Sequence, residues 1–201
     1  MSLEIKVTPK RWPLHKPFKI SRDFLTHSET IVCEISDGEH LGRGEGAGVS
    51  YDGETTDSIR QQIEAVAGEI AAGISRDELQ QLLPPGGARN AVDCALWDLE
   101  AKRAGQTVWQ MIGWDPKPVT TVYTVGIDTP ENMEADAAGH SEYAYIKVKV
   151  GIGDPLAQIA AINRGAPNAA IVIDANPVSY THLTLPTNRV AGGGGGGGGG
   201  G

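Results

Sequence analysis

The sequence predicts an α+β domain followed by the truncated start of a (β/α) TIM-type barrel. Up to Gly113, strand and helix patterns succeed one another without regular alternation. From Pro118 onward the pattern alternates strand, helix, strand, helix, strand with short connections, which is typical of parallel β/α units. A complete β/α barrel needs roughly 250 residues, so the three strands predicted after Pro118 form only the opening of one.

The first part of the chain contains three predicted strands, which suggest an antiparallel meander. They comprise Leu3–Val7, Thr30–Ile35 and His40–Val49, and the turn signal Asp37-Gly38 precedes the last of them. Within the third strand, Gly42–Gly46 lacks the GxGxxG spacing of a phosphate-binding loop. We therefore interpret its glycines as positions where another backbone approaches closely.

Three helices are predicted after these strands. Apolar residues recur at helical spacing from Thr56 to Gly73, where glycine ends the helix. Ser75 begins a second helix as a capping box with Glu78 three residues later. The third helix has the strongest pattern; it runs from Ala88 to Ala104 and ends at Gly105.

The barrel-like part contains three predicted strands and two predicted helices. The strands comprise Val119–Val125, Tyr145–Val150 and Ala170–Asp174. The helices comprise Thr129–Gly139, which Thr129 caps, and Asp154–Arg164. The last strand is a continuous apolar run, as expected for a parallel strand covered on both faces.

The composition excludes several classes of protein. Seventeen Lys and Arg against 25 Asp and Glu give a net charge of −8, which excludes an electrostatic nucleic-acid binder. No run of roughly 18 apolar residues would span a membrane, and the N-terminus lacks a signal peptide, so we expect a cytoplasmic protein with no membrane partner. Cys33 and Cys94 lack disulfide or zinc-site spacing, and we interpret both as small buried residues.

Two lysines on one strand are the first candidates for chemistry. Lys147 and Lys149 lie two residues apart, so their side chains project from the same face. Taken alone, the pattern favours an exposed edge strand with solvated lysines. A parallel strand is usually covered on both faces, however, and two neighbouring ammonium groups disfavour each other's charge. A neutral lysine that can accept a proton is one result.

An aspartate at the end of the third barrel-like strand is the second candidate. Asp174 stands where active-site residues of β/α barrels lie, and its carboxylate suits Mg²⁺, with Asn176 two residues further on. The alternative is that Asp174 caps the next element and Asn176 belongs to a turn. Lys149 also lies near the end of its strand, so we expect the lysine pair and Asp174 to meet at the same end of the barrel.

These motifs resemble those of a known family. The chain to Pro177 is similar to the muconate-lactonising subgroup of the enolase superfamily, and within it to dipeptide epimerases of the L-Ala-D/L-Glu type. The segments that carry the resemblance are Trp12–Phe18, Gly42–Glu45, Ala88–Leu99, Tyr123–Pro130, Lys147–Lys149 and Asp174–Asn176.

The resemblance implies a capping domain over residues 1–113 and the first three barrel strands over residues 118–177. It implies that Lys149 is an acid/base on one face of the substrate α-carbon, that Lys147 is its electrostatic neighbour, and that Asp174 is a Mg²⁺ ligand. The implied reaction is a Mg²⁺-dependent 1,1-proton transfer on a small dipeptide. Epimerisation also requires a second acid/base on the opposite face, which the resemblance implies lies beyond residue 177.

Substrate recognition departs from the family pattern. Leu25 stands where the resemblance implies an arginine for an acidic side chain, and Arg22 is the expected substitute. Asn176 is a second expected substrate-binding residue, and the full-length protein is a possible homo-oligomer. Sister activities are alternatives, namely N-acylamino-acid racemase, o-succinylbenzoate synthase and muconate cycloisomerase. A non-catalytic β/α binding protein is another.

The last residues do not fit the preceding pattern. Gly192–Gly201 is an unbroken glycine run that has no side chains to bury. Val178–Val190 resembles the translation of a sequencing-library adapter. The sequence therefore predicts that residues 178–201 are an artefact, and that the 201-residue chain as written is inactive because it holds half a site.

Resequencing the gene tests the interpretation of the tail. We expect an uninterrupted read past the codon for Pro177 to replace residues 178–201 with further β/α units, because the helical and strand periodicities end abruptly there. A clean genomic read that reproduces the glycine run in frame would contradict this interpretation.

Overall fold

A computed structural model describes residues 2–20, 23–49, 52–150 and 154–175. Arg22, Asn176 and the tail from Val178 lie outside these residues. The chain forms two compact units: residues 1–14 with 27–117, and residues 15–26 with the chain from Pro118. Within the described ranges, no helix is long and apolar enough to cross a membrane.

The first unit contains most of a three-stranded sheet. The strands are β1 (Glu4–Ile20), β2 (Asp23–Ser36) and β3 (Leu41–Gly46), in the order β1-β2-β3. β2 and β3 pair antiparallel, from Ile31 opposite Gly46 to Ser36 opposite Leu41. The three predicted strands are therefore present, and β3 ends three residues before the predicted end.

The strands β1 and β2 are much longer than the sequence predicts. β1 has 17 residues and β2 has 14. Contacts between the two strands extend them through stretches whose sequence does not alternate between apolar and polar residues. Trp12 Nε1 donates a hydrogen bond to Thr30 Oγ1 over 3.1 Å, and Arg11 pairs with Glu29 at 3.3 Å. Such pairs between neighbouring strands contribute to sheet stability but leave no periodic signal in either strand.

Five helices complete the description of the first unit: α1 (Thr56–Ala65), α2 (Ala67–Ala71), α3 (Arg76–Leu82), α4 (Gly87–Ala104) and α5 (Val108–Met111). The predicted helix from Thr56 to Gly73 is interrupted at Val66, where φ is −113° and ψ is 14°. The capping box of Ser75 and Glu78 is confirmed. Gly105 ends α4 in the left-handed conformation, with φ 59°.

The glycines of β3 lie against α4. A Cβ atom at Gly44 would collide with the carbonyl oxygen of Ala91 and would lie 2.6 Å from the amide nitrogen of Ala95. Gly42 and Gly46 meet the same helix in the same way. The interpretation of these glycines as sites of close backbone approach is confirmed, and it explains how β3 and α4 pack without intervening side chains.

The core of this unit is formed by aliphatic side chains from the sheet and the helices. Its fully buried members include Ile31, Cys33, Ile35, Ile59, Ile63 and Leu99. Burial raises the pKa of the Cys33 thiol to about 12. The interpretation of both cysteines as buried is wrong for Cys94, whose side chain faces outward on α4.

In the described residues from Pro118 onward, the second unit contains three parallel strands and the two helices that connect them. They are β4 (Tyr123–Val125), α6 (Pro130–Ala138), β5 (Tyr145–Val150), α7 (Pro155–Gly165) and β6 (Ala170–Ala175), with the strands in the order β4-β5-β6. The predicted fold class is confirmed, although β4 is shorter than predicted, because Val119 is 90% exposed and makes no strand pairing.

A substitution at Gly44 tests the packing of β3 on α4. Gly44→Ala should destabilise the full-length protein by about 2 kcal/mol or more, because the new methyl group meets backbone atoms that cannot move aside. The free energy of unfolding in urea measures this. Gly68→Ala in α2 is the matched control, since no atom lies within 4 Å of its Cβ position. Equal stability of the two variants would contradict the packing argument.

Candidate active site

The strand register brings the candidate residues together. β5 and β6 pair in parallel with Lys149 opposite Asp174 and Lys147 opposite Val172. β4 continues the row, with Thr124 opposite Lys147. Paired residues of parallel strands project to the same side, and so do residues two apart on one strand. Lys147, Lys149 and Asp174 therefore share one face at the carboxyl ends of the strands.

The buried face of β5 determines the side of the sheet from which the two lysines project. Ile146 and Val148 alternate with the lysines on β5 and are fully buried in a core with residues of α6 and α7, including Met133 and Ile162. Burying these aliphatic side chains leaves the lysines on the other side of the sheet. The alternation of Tyr145–Val150 thus positions the candidate site.

Both lysines contact the carboxylate of Asp174. Lys147 Nζ lies 3.0 Å from Asp174 Oδ2, and Lys149 Nζ lies 3.4 Å from the same oxygen. Lys149 is the least exposed of the three side chains, at 21%. One carboxylate thus faces two cationic groups, with the acid/base candidate of the pair in the more enclosed position.

The lysines change the titration of Asp174. The hydrogen bond from Lys147 is the main reason why the pKa of Asp174 lies below its ordinary value. Burial acts in the opposite direction, and the hydrogen bond from Lys149 lowers the pKa further. Asp174 is therefore an anion at neutral pH, which is the state that a cation ligand requires.

Asp174 fits part of a magnesium site. Its carboxylate is a hard oxygen donor at the end of a strand, as Mg²⁺ prefers. Among the described residues, no group of three or more His, Cys, Asp or Glu side chains could hold a metal ion. The described part of the chain therefore supplies one candidate ligand and not a complete set. The expected substrate-binding residues Arg22 and Asn176 lie outside it.

A second polar cluster in this unit was not predicted. Lys16 donates hydrogen bonds to Asp136 and to Tyr123 Oη, the latter over 3.0 Å. Tyr123 Oη donates to Asp136 Oδ1 over 3.0 Å. Lys16 and Asp136 are 120 residues apart in the chain, so no local pattern could have indicated their contact.

A cavity of about 560 Å³ adjoins this cluster. Its lining includes Lys16, Phe18, Phe24, Gly126 and Ile127. The last two residues follow β4 at its carboxyl end. The cavity therefore lies at the carboxyl end of β4.

The fold and the site together define a class of protein. An α+β unit precedes parallel β/α units whose strand ends carry two lysines and an aspartate, which is the arrangement that the sequence resemblance implies for the enolase superfamily. The family model described as "Mandelate racemase / muconate lactonizing enzyme, N-terminal domain" matches residues 2–113. The chain belongs to this family.

Relatives of known activity and structure agree with this assignment. The chain is 37% identical over 175 residues to the L-Ala-D/L-Glu epimerase of Escherichia coli, covering 86% of this chain and 54% of the relative. An enolase family member from Agrobacterium tumefaciens with homology to dipeptide epimerases, solved with sodium and L-Ala-L-Glu, is 40% identical with a TM-score of 0.83. The match covers 87% of this chain and 54% of that one.

A third comparison shows how ligands differ among similar proteins. The dipeptide epimerase of Cytophaga hutchinsonii, solved with Mg and D-Ala-L-Val, is 29% identical with a TM-score of 0.74. The match covers 88% of this chain and 52% of that one. The chain thus spans about half the length of the relatives it matches.

Titration of Asp174 tests the roles of the two lysines in the metal-free, full-length protein. Lys147→Met should raise the pKa of Asp174 more than Lys149→Met does, because the Lys147 hydrogen bond is the largest cause of the lowered value. Carbon-13 NMR of the carboxyl group measures this.

The lowered pKa of Asp174 makes the stability of the folded protein depend on pH. A carboxyl group with a pKa that is lower in the folded than in the unfolded chain stabilises the fold above the unfolded pKa. This contribution disappears as the pH falls through the folded value. An Asp174 pKa that is unchanged in Lys147→Met would contradict the ion-pair geometry.

Proposed function

We propose that the full-length protein is a Mg²⁺-dependent isomerase that epimerises dipeptides by 1,1-proton transfer at an α-carbon. The observation that carries this proposal is the contact of Lys147 and Lys149 with Asp174 at the carboxyl edge of a parallel sheet. Membership of the mandelate racemase and muconate lactonizing enzyme family supports it. The capping domain over residues 1–113 and the barrel from residue 118 are parts of the same proposal.

The chemistry assigns different roles to the two lysines. An α-proton beside a carboxylate is very weakly acidic, so the base must be neutral, close and held in one orientation. We assign this role to Lys149, the more enclosed lysine, whose contact with Asp174 is longer by 0.4 Å. Lys147 keeps the shorter contact and holds the carboxylate in place.

Asp174 is the proposed metal ligand among the described residues. When bound there, Mg²⁺ would supply the counter-charge for the negative charge that develops on the substrate carboxylate. The lysines perform the steps that belong to this part of the chain: Lys149 removes or returns a proton on one face of the α-carbon, and Lys147 orients Asp174. Inversion of configuration requires a second acid/base on the other face.

A dipeptide substrate is supported by the three relatives. Two of the solved structures contain L-Ala-L-Glu and D-Ala-L-Val, so the shared feature is the dipeptide and not its second side chain. We keep Arg22 and Asn176 as proposed substrate-binding residues. A cytoplasmic location and assembly as a homo-oligomer complete the proposal.

Proton exchange in deuterium oxide tests the role of Lys149 in the full-length gene product. Lys149→Met should lower the epimerisation of L-Ala-L-Glu by about a hundredfold or more. Exchange of the α-proton should be lost only for the epimer whose C–H bond faces Lys149, because the opposite base still acts on the other epimer. Proton NMR follows both epimers separately.

Measurements of Mg²⁺ binding and turnover in further variants separate the role of Lys149 from that of Asp174. Lys149→Met should leave the Mg²⁺ affinity nearly unchanged in calorimetry, whereas Asp174→Asn should weaken both Mg²⁺ binding and turnover. Tyr145→Phe is the matched control, because Tyr145 lies on the same face of β5 and is 40% exposed. Wild-type turnover in Lys149→Met would refute the assignment.

A further inference from the structure

The sheet of the first unit has two edges, and β3 forms one of them. Among the described residues the strand order is β1-β2-β3, so β3 pairs with a strand on one side only. An edge strand presents a row of backbone N–H and C=O groups with which a strand of another chain can pair. The partners of these groups on β3 therefore decide whether the sheet can be extended.

Side chains of α4 bind this row of backbone groups. Lys102 Nζ donates a hydrogen bond to the carbonyl oxygen of Leu41 over 2.6 Å. The amide of Arg43 donates to Asp98 Oδ2 over 2.8 Å. The helix thus supplies both a donor and an acceptor to the edge of the strand.

Asn90 makes a third contact of this kind. Its Nδ2 donates a hydrogen bond to the carbonyl oxygen of Glu45 over 2.9 Å. Leu41, Arg43 and Glu45 alternate along β3, and the backbone groups of alternate residues in a strand point to the same side. Because the amide of Arg43 bonds to α4, all three contacts lie on the side of β3 that faces away from β2.

The three side chains form one stripe on α4. Asn90, Asp98 and Lys102 are separated by multiples of four residues, and positions four apart lie on the same helix face. Lys102 Nζ also pairs with Asp98 Oδ2 at 2.7 Å, so the two side chains hold each other in place. Burial raises the pKa of Asp98, but the hydrogen bonds from Lys102 and from the amide of Arg43 outweigh it and keep the pKa below its ordinary value. Asp98 is therefore a charged acceptor at neutral pH.

The opposite edge of the sheet lacks donors for a different reason. Pro9 and Pro13 lie four residues apart on β1, and both are exposed. Proline has no amide hydrogen, and in sheets it is found where its nitrogen faces away from the neighbouring strand. The open side of β1 therefore lacks two donors, and β3 is the edge at which the addition of a strand is decided.

We infer that Asn90, Asp98 and Lys102 take the place of a fourth strand and close the β3 edge, so that a second copy of this chain cannot pair with it. A strand could add to β3 only by displacing three hydrogen bonds, two of which involve a charged group. The subunits of the proposed homo-oligomer then meet through a different surface. No step of the proposed proton transfer depends on this edge.

Sedimentation velocity and hydrogen exchange of the full-length protein test the closure of this edge together. The triple variant Asn90→Ala, Asp98→Ala and Lys102→Ala should accelerate exchange of the Arg43 amide by about tenfold or more and leave that of Cys33 in β2 unchanged. It should also form species larger than those of the wild-type protein, in a proportion that rises with concentration, because the β3 edge can then pair with a second copy.

The substitution Arg43→Pro distinguishes strand pairing from aggregation of a weakened fold. Added to the triple variant, it removes the amide that a second strand would use and should restore the sedimentation of the wild-type protein. Arg103→Met is the matched control. Arg103 follows Lys102 on α4, but its Nε pairs with the side chain of Asp37 at 2.7 Å and not with the backbone of β3. It should change neither measurement.

Asp98→Ala alone decides the question if the triple variant does not fold. It releases the amide of Arg43 and should produce the larger species in a smaller proportion. A variant that folds cooperatively, exchanges the Arg43 amide faster and still sediments like the wild-type protein would show that the α4 side chains do not close the edge. Unchanged exchange of this amide, or larger species that persist with Arg43→Pro, would equally contradict the inference. A wild-type protein without proton transfer would overturn the proposed function and leave these results unaffected.

Discussion

The parallel register between β5 and β6 is the constraint on which the candidate site depends. It places Lys149 opposite Asp174 and leaves Lys147 on the same face, within 3.0 Å of the same carboxylate. A slip of one residue would turn Lys149 toward the core and Ile146 toward the site. The buried Ile146 and Val148 of β5 and the partly buried Ile171 and Ile173 of β6 resist such a slip, so the core that stabilises the unit also aligns the site.

In the first unit, the packing depends on the close approach between the backbones of β3 and α4. The glycines of β3 allow α4 to lie against the strand, and α4 then supplies side chains to its backbone. Asp98 accepts a hydrogen bond from the amide of Arg43 over 2.8 Å, and Lys102 donates to the carbonyl of Leu41 over 2.6 Å. The glycine pattern is thus a requirement of packing between a strand and a helix, and not a binding loop.

The sequence predicted the features that have a local cause. Strand and helix alternation after Pro118 and the capping box of Ser75 each depend on residues near one another in the chain. The close approach at Gly44 involves the distant helix α4, but the alternating glycines of β3 indicate it locally. The contact of Lys149 with Asp174 could be expected because parallel strands end at the same edge. The contacts of Lys16 with Asp136 and Tyr123 could not be predicted, and neither could the full length of β1. Both depend on partners that are distant in sequence and show no periodicity.

The local charge at the site differs in sign from that of the whole chain. The chain carries a net charge of −8, but two ammonium groups face one carboxylate at the ends of β5 and β6. A net positive group of charges attracts anions, even on a protein whose overall charge is negative. Because one carboxylate faces two lysines, the three side chains leave a net positive charge at this edge, which would attract the carboxylate of the proposed dipeptide substrate toward Lys149.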